Sequence, residues 1–329
     1  MKFVDSSFEI IEQAPGLEGA YKHCEKIARV SYKSENSITE TSAKKFVDNL
    51  IKNQHLACLE HITIYLFDRY DVLTVGEWTN SLASKYANNP YSKVKYDEGV
   101  VFRGVYITTN ARVIIENDWY DDLNHICEPT WFHEKRYSVK FVLPIGIVRD
   151  VLRHRKFSYI NESTRYINYT KEKHGSGLTI VIPRWIYSCR DEIAQYVDPQ
   201  TYDSRDYLLE LSGEELVKQL SCEDRHVSAW VDSLRKAESD YFYLMHVDDG
   251  YKLRPEQARG VLPLDTRSEL VMTGFASDWV HFFNMRSYIK MAGSAHEDLR
   301  YVVDQLLEEF IKRGYINEQD LYKEDKIDS

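Results

Sequence analysis

The stretch Arg149-Asp150-Val151-Leu152-Arg153-His154-Arg155-Lys156-Phe157-Ser158, continuing to Asn161-Glu162-Ser163-Thr164-Arg165-Tyr166, carries the densest chemical signal in the chain. Pro144 opens a helix into it, because proline's missing N–H has no partner in a first turn. On that helix Asp150, Arg153 and His154 share one face at three- and four-residue spacing. Val148, Val151 and Leu152 give the opposite, apolar side. Arg149, Arg153, Arg155 and Lys156 repel one another unless carboxylates or an anion sit among them. Arginine cannot shed its proton to relieve this, and its planar fork matches phosphate oxygens. Ser163, Thr164 and Arg165 then add hydroxyl and guanidinium donors, as a phosphate cradle requires. A solvated basic face paired with Asp150 and Glu162 explains the composition equally well. Ser163 near a histidine invites a nucleophile, but no acid partner is placed for it.

Outward from this segment, helical periodicity is clear at Phe46, Leu50 and Ile51 before His55. It returns in the stripe Trp230, Leu234, Ala237, Tyr241, Leu244, stopping near Gly250, and in Leu299, Val302, Leu306, Phe310. β-branched and aromatic residues cluster at Thr63–Phe67, Val101–Thr108, Ser138–Leu143 and Leu178–Ile182, which predicts strands. Helices and strands are mixed along the length, so the fold class is α/β or α+β. No repeat or linker divides the chain, which reads as one catalytic domain over 1–329. Residues 69–134 and 185–225 are richer in polar residues and read as insertions decorating a core.

The 329 residues carry 42 Lys+Arg against 52 Asp+Glu, a formal charge of −10, with 43% hydrophobic residues. That apolar content excludes collagen-like and disordered chains. No apolar run approaches the roughly 18 residues of a membrane span, and the N-terminus lacks a secretory pattern. Five scattered cysteines with no C-x-x-C pair argue against a disulfide or zinc scaffold and fit a cytoplasmic protein. The acidic balance argues against a broad nucleic-acid surface, although one local basic pocket remains compatible with it. His55, Glu60 and His61 lack the spacing of zinc helices, so no metal is expected.

Arg153-His154-Arg155, seven residues, then Ser163 resembles the R-H-R-x7-S signature of the flavin-dependent thymidylate synthases. Other stretches resemble that family in the right order. Ala28-Arg29-Val30-Ser31 is similar to its early A-R-V-S helix, and His55 to Glu60-His61 to its H-x-[ST]-P-[FL]-E-H stretch. Ala258-Arg259 with Val261-Leu262-Pro263-Leu264 is similar to A-R-x-x-L-P-L, and His281-Phe282-Phe283-Asn284-Met285-Arg286 to [NH]-F-L-x-L-R. Ala295-His296-Glu297-Asp298-Leu299-Arg300 is similar to A-Q-x-E-I-R, so the resemblance spans about 28–300. Departures are Ala57-Cys58 for Ser/Thr-Pro, Asp150 for Gln, Asn161 for Glu or Gln, Phe275 and Ser277 for Asn and Arg, and His296 for Gln.

The resemblance implies a mixed sheet with long packed helices and a homotetramer whose active sites are shared between subunits. It implies FAD as cofactor, NADPH as reductant, methylenetetrahydrofolate as carbon donor, and dUMP as the acceptor that becomes dTMP. Carried over position by position, the FAD residues are Ser31, His55, Ala57, Glu60, Arg153, His154, Arg155, Asn161, Phe275, Ala276, Ser277 and His281. The dUMP residues are Asp150, Val151, Leu152, Arg153, Asn161, Glu162, Ser163, Thr164, Arg165, Arg259 and Arg286, with Arg286 activating the uracil ring. A nucleotide phosphate carrying about −1.5 to −2 charge suits such converging arginines. Two other readings stand beside this one. The first is a related flavin-dependent (hydroxy)methylase of a pyrimidine nucleotide, and the second is a nucleic-acid-binding module built on Arg153–Lys156 and nearby tyrosines.

Overall fold

The computed structural model describes residues 1–69, 82–97, 104–171, 177–186, 225–246, 252–287 and 295–322. Its first third holds β1 (Lys2–Val4), β2 (Ser7–Ile11), α1 (Gly16–Val30), α2 (Ser42–Lys52), β3 (Thr63–Arg69), α3 (Leu82–Ala87), β4 (Lys93–Asp97) and β5 (Gly104–Asn110). The middle adds α4 (Ala111–Glu116), β6 (Arg136–Pro144), α5 (Ile145–Val151), β7 (Ser158–Asn161) and β8 (Thr179–Val181). The remainder holds α6 (Arg225–Met245), α7 (Pro255–Ala258), β9 (Arg267–Phe275), α8 (Ala276–Arg286) and α9 (Glu297–Lys312).

β2, β6, β9 and β7 form an antiparallel sheet in that order. Side chains along a strand alternate between faces, and both faces of β9 are covered. Leu270 and Met272 join Phe141, Trp279, Phe282, Phe283 and Phe310 beneath α8 and α9, whereas Val271 meets Ile27 and Val30 of α1 on the other side. Each such side chain contributes about 1.5–3 kcal/mol by leaving water. This double burial explains why β9 shows no alternation in sequence. β3, β5 and β4 form a second sheet whose core is continuous with α1 and α2 through Cys24, Val47, Leu59, Leu66 and Ile107. The 69–134 region, where it is described, therefore shares a core with flanking helices. Gln13 clamps the two sheets: its Nε2 donates to Thr63 O at 2.8 Å and its Oε1 accepts from Thr63 N at 2.9 Å. β1 and β8 pair in parallel and pack with α6.

The helical stripes appear as α2, α6 and α9, and the four expected strands appear as β3, β5, β6 and β8. Residues 101–103, Gly250, Cys189, Cys222 and most of 185–225 lie outside the described residues. One expectation needs correction. α5 stops at Val151, so Arg153, His154 and Arg155 stand on the following turn and not on a helix. The chain tightens there into turns, His154 N donating to Val151 O at 3.1 Å and Phe157 N to His154 O at 3.3 Å. The single Tyr159 hydroxyl proton is shared between the same two carbonyls, 3.0 and 2.8 Å away. The turn then approaches β9 closely. Phe157 lies against Gly274, where a Cβ would sit 2.4 Å from its ring.

A polar seam crosses the face of the main sheet toward α1. His23 Nε2 lies 3.1 Å from Ser138 Oγ, which is 2.7 Å from Thr273 Oγ1, itself 2.7 Å from His61 Nδ1. Burial holds the His23 pKa down to about 4 and that of His61 well below its usual value. Both rings are thus neutral when folded, whereas the unfolded chain takes up their protons below about pH 6.5. Stability is fully present above that pH and falls as pH drops toward 4, by up to about 1.4 kcal/mol per unit for each ring. Urea unfolding between pH 6.5 and 5 should show this slope, shallower in His23→Asn. A flat profile would contradict it.

Candidate active site

The Arg153–Lys156 turn meets the C-terminal end of α8. Arg286, 132 residues downstream of His154, donates from Nε to His154 Nε2 at 2.9 Å and from Nη2 to Asp150 O at 3.0 Å. Among the described residues its Nη1 has no partner. The Asp150 carboxylate pairs instead with Arg153 at 3.3 Å. His154 packs edge-on against Phe282 at 4.9 Å, and His281 lies 6.3 Å from its ring. Burial, with the charge of Arg286 and the neighbouring His281, pushes the His154 pKa down to about 4. A neutral imidazole can accept the guanidinium hydrogen bond; an imidazolium cannot. Arg153, His154, Arg155, Lys156, His281 and Arg286 line a cleft of about 290 Å³. Arg153 and Lys156 are largely exposed there, and the nearest carboxylate to Lys156 is the buried Asp278 at 3.9 Å. Such a donor set fits an anionic ligand.

A second group forms beyond the other end of β7. Ser163 N donates to Ser31 O at 3.1 Å, and Arg259 Nη1 donates to Thr164 Oγ1 at 3.2 Å. Arg165 is exposed and pairs with Glu256 at 3.3 Å. Asn161 Oδ1 accepts from Ser268 Oγ at 3.0 Å. Glu162 faces inward, where its carboxylate meets Lys33 at 2.9 Å, Arg267 at 3.6 Å and the Tyr169 hydroxyl at 3.4 Å. Burial pushes the Glu162 pKa up while Lys33 and Arg267 pull it back. Val151 is wholly buried in the core, and Leu152 is exposed.

The third group gathers the remaining positions. His55, just before the short turn Leu56–His61, and Ala57 within it are both exposed. Glu60 accepts from Arg112 Nη1 at 2.5 Å, and its carbonyl accepts from Arg136 Nη1 at 2.9 Å. Arg136 lies 5.5 Å and Lys93 5.6 Å from the Phe275 ring. Ala276 N donates to Lys135 O at 2.9 Å, and Ser277 Oγ donates to Glu134 at 2.5 Å.

Within one chain, then, Asp150, Arg153, His154, Arg155, His281 and Arg286 come together, and so do Ser31, Ser163, Thr164, Arg165 and Arg259. The two groups do not meet. The four residues of β7 stand between them, on the order of 13 Å at about 3.3 Å per residue. The motifs left out Lys33, Arg267, Arg112, Arg136 and Tyr159. Lys33 and Tyr159 had a signal, standing two residues after Ser31 and five after His154; the arginines act from strands and a helix outside the motifs. If Arg286 helps keep His154 neutral, Arg286→Ala should raise the His154 pKa from about 4 in an NMR titration. An unchanged value would mean that burial alone sets it.

No curated protein sequence matches the chain. Among solved structures it is similar to a UMP/dUMP methylase, PolB from Streptomyces cacaoi bound with 5-Br dUMP, at 18% identity and TM-score 0.40, covering 95% of this chain and 93% of that one. It is also similar to Thymidylate Synthase X from Helicobacter pylori with FAD and dUMP, at 15% identity and TM-score 0.34, covering 57% and 74%. A family profile described as "Thymidylate synthase complementing protein" (Thy1) matches residues 104–313, more than half of the chain. The chain belongs to that family.

Proposed function

We propose that this protein is a flavin-dependent thymidylate synthase, methylating dUMP to dTMP with methylenetetrahydrofolate as carbon donor and NADPH as reductant through FAD. The observation that carries this reading is the Arg286 guanidinium, held at Nε and Nη2 by His154 and Asp150 with Nη1 left over. Uracil C5 attacks an electrophile only when charge builds on the ring, and a fixed guanidinium at the N3/O2 edge stabilises that charge. A preorganised donor of this kind is worth about 3–4 kcal/mol, or roughly 10²–10³ in rate. His154 acts as a positioning residue, neutral so that it can hold Arg286 without repelling it.

The cations of the Arg153–Lys156 turn, with His281, would hold the anionic part of FAD, and the group around His55, Glu60 and Phe275–Ser277 would hold the rest. FAD, when bound, supplies redox and one-carbon transfer chemistry that side chains lack. Ser163, Thr164, Arg165 and Arg259 would take the dUMP phosphate, and Asn161 the base or sugar. The Ser163 hydroxyl has no partner among the described residues, which leaves it available as a donor. Because β7 separates this group from Arg286, one nucleotide reaches both most directly when two subunits of a homotetramer supply them.

Arg286→Ala should lower turnover at least 10²-fold while the protein stays folded and yellow with flavin; near-normal dTMP formation would place the activator elsewhere. The shared site has its own test. Arg286→Ala and Arg259→Ala proteins, each inactive, should regain activity when unfolded and refolded together, because some mixed sites then carry both arginines. No recovery in confirmed mixed oligomers would place the whole site in one chain. Mass spectrometry of the product, with dUMP and UMP offered separately, distinguishes methylation from hydroxymethylation and fixes the acceptor.

A further inference from the structure

Between the two sheets lies a cavity of about 310 Å³, at the small end of the roughly 300–1,000 Å³ typical of ligand pockets. It shares no lining residue with the Arg286 cleft. It opens at the N-terminal end of α1, whereas Ser31 follows the C-terminal end, about 22 Å away along 15 residues. Its floor is basic. Arg136 Nη1 donates to Glu60 O at 2.9 Å and lies 3.4 Å from Thr63 Oγ1, but its buried Nε has no partner. Among the described residues no carboxylate stands in ion-pair reach of Arg136. Burial pushes its pKa down to about 10, which leaves it charged at neutral pH.

His23 is 5% exposed, lines the same cavity, and leaves Nδ1 without a partner. No side chain caps the first turn of α1, whose Gly16 and Leu17 also line the space, and a helix N-terminus favours an anion. The acidic Glu12 is already engaged by Arg313 at 3.0 Å and the Tyr315 hydroxyl at 2.7 Å, and Glu128 is exposed at the mouth. The walls are apolar and aromatic: Ile10, Ile64, Tyr65 and Tyr137. A desolvated cation and a bare imidazole nitrogen facing one space are costly unless a ligand answers them.

We propose that this cavity is a binding site for a small organic carboxylate with a planar apolar body, its carboxylate on Arg136, His23 and the first turn of α1. The apolar body lies against Tyr65, Tyr137 and Ile64. The polar seam accommodates this without strain. His23 donates from Nδ1 to the ligand, Ser138 donates to His23 Nε2, Thr273 donates to Ser138, and His61 Nδ1 donates to Thr273.

The test is calorimetric titration of the full-length protein with sodium benzoate, and in parallel with inorganic phosphate at matched ionic strength, with and without FAD and dUMP. Benzoate should bind saturably, one per chain, at least tenfold more tightly than phosphate and without releasing FAD. Arg136→Met should weaken it at least tenfold. Leu17→Trp, at an exposed position on the cavity mouth, should do the same and keeps the test decisive if Arg136→Met does not fold. Absence of saturable benzoate binding, phosphate binding equally well, or affinity unchanged in a folded variant would overturn the proposal. Displacement of FAD by benzoate would also overturn it, because the cavity would then belong to the cofactor. None of these outcomes depends on whether the protein methylates dUMP.

Discussion

A guanidinium hydrogen-bonded to an imidazole holds only while the imidazole stays neutral, and at Arg286 and His154 that condition is met by packing. His154 is half-buried against the edge of Phe282, and removing it from water suppresses protonation more than the nearby Arg286 does. Phe282 is in turn fixed among Trp279, Phe283 and Phe310, which cover the main sheet. The direction of the Arg286 side chain is therefore set by the aromatic core. Loosening that core would act on the site through geometry and through the His154 proton at once.

Much of this was legible in the sequence where chemistry or amphipathicity is local. α2, α6 and α9 bury one stripe and expose the other, so their period survives in the residues. β9 does not show itself this way, because both of its faces are covered and its polar members are paired within the protein. Glu269 is answered by Arg267, and Thr273 by Ser138 and His61. The helix expected through His154 ends at Val151, where the backbone passes into tight turns whose carbonyls a tyrosine five residues after His154 also approaches. The site residues were named through their motifs, but their division into separate groups was not legible. That division follows from the length of β7 and from its pairing with β9, neither of which leaves a periodic trace.

Glu162 shows how a motif position can support a site from the inside. Sequence order places it between Asn161 and Ser163 and suggests that it faces the ligand. The fold turns its carboxylate into the protein, where Lys33 and Arg267 balance it and Glu269 N donates to it at 3.2 Å. It thereby ties the segment after α1 to β9, and Ser163 N completes the tie through Ser31 O. Two cations and a buried carboxylate together fix the backbone that presents Ser163, Thr164 and Arg165 outward. Removing Glu162 alone would strand Lys33 in low dielectric, a larger penalty than the pair's own net worth, whereas Arg267 would keep Glu269.

The second sheet also reaches the candidate site, which a purely decorative insertion would not do. Arg112 on α4 binds Glu60, and Lys93 on β4 stands over the Phe275 ring. Arg136, at the start of β6, is paired in register with Phe275. The motif resemblance puts an arginine at 277, where this chain has a serine held by Glu134. Positive charge around this corner comes instead from residues 93, 112 and 136, none of them in a family motif. A guanidinium at 136 cannot be held by the main sheet alone, since its carbonyl acceptor and its hydroxyl neighbour come from Glu60 and Thr63. The Gln13 clamp that fixes Thr63 against the β2–α1 connection thus fixes Arg136 as well. The same contact that joins the two sheets sets the charge both in the cavity between them and beside Phe275.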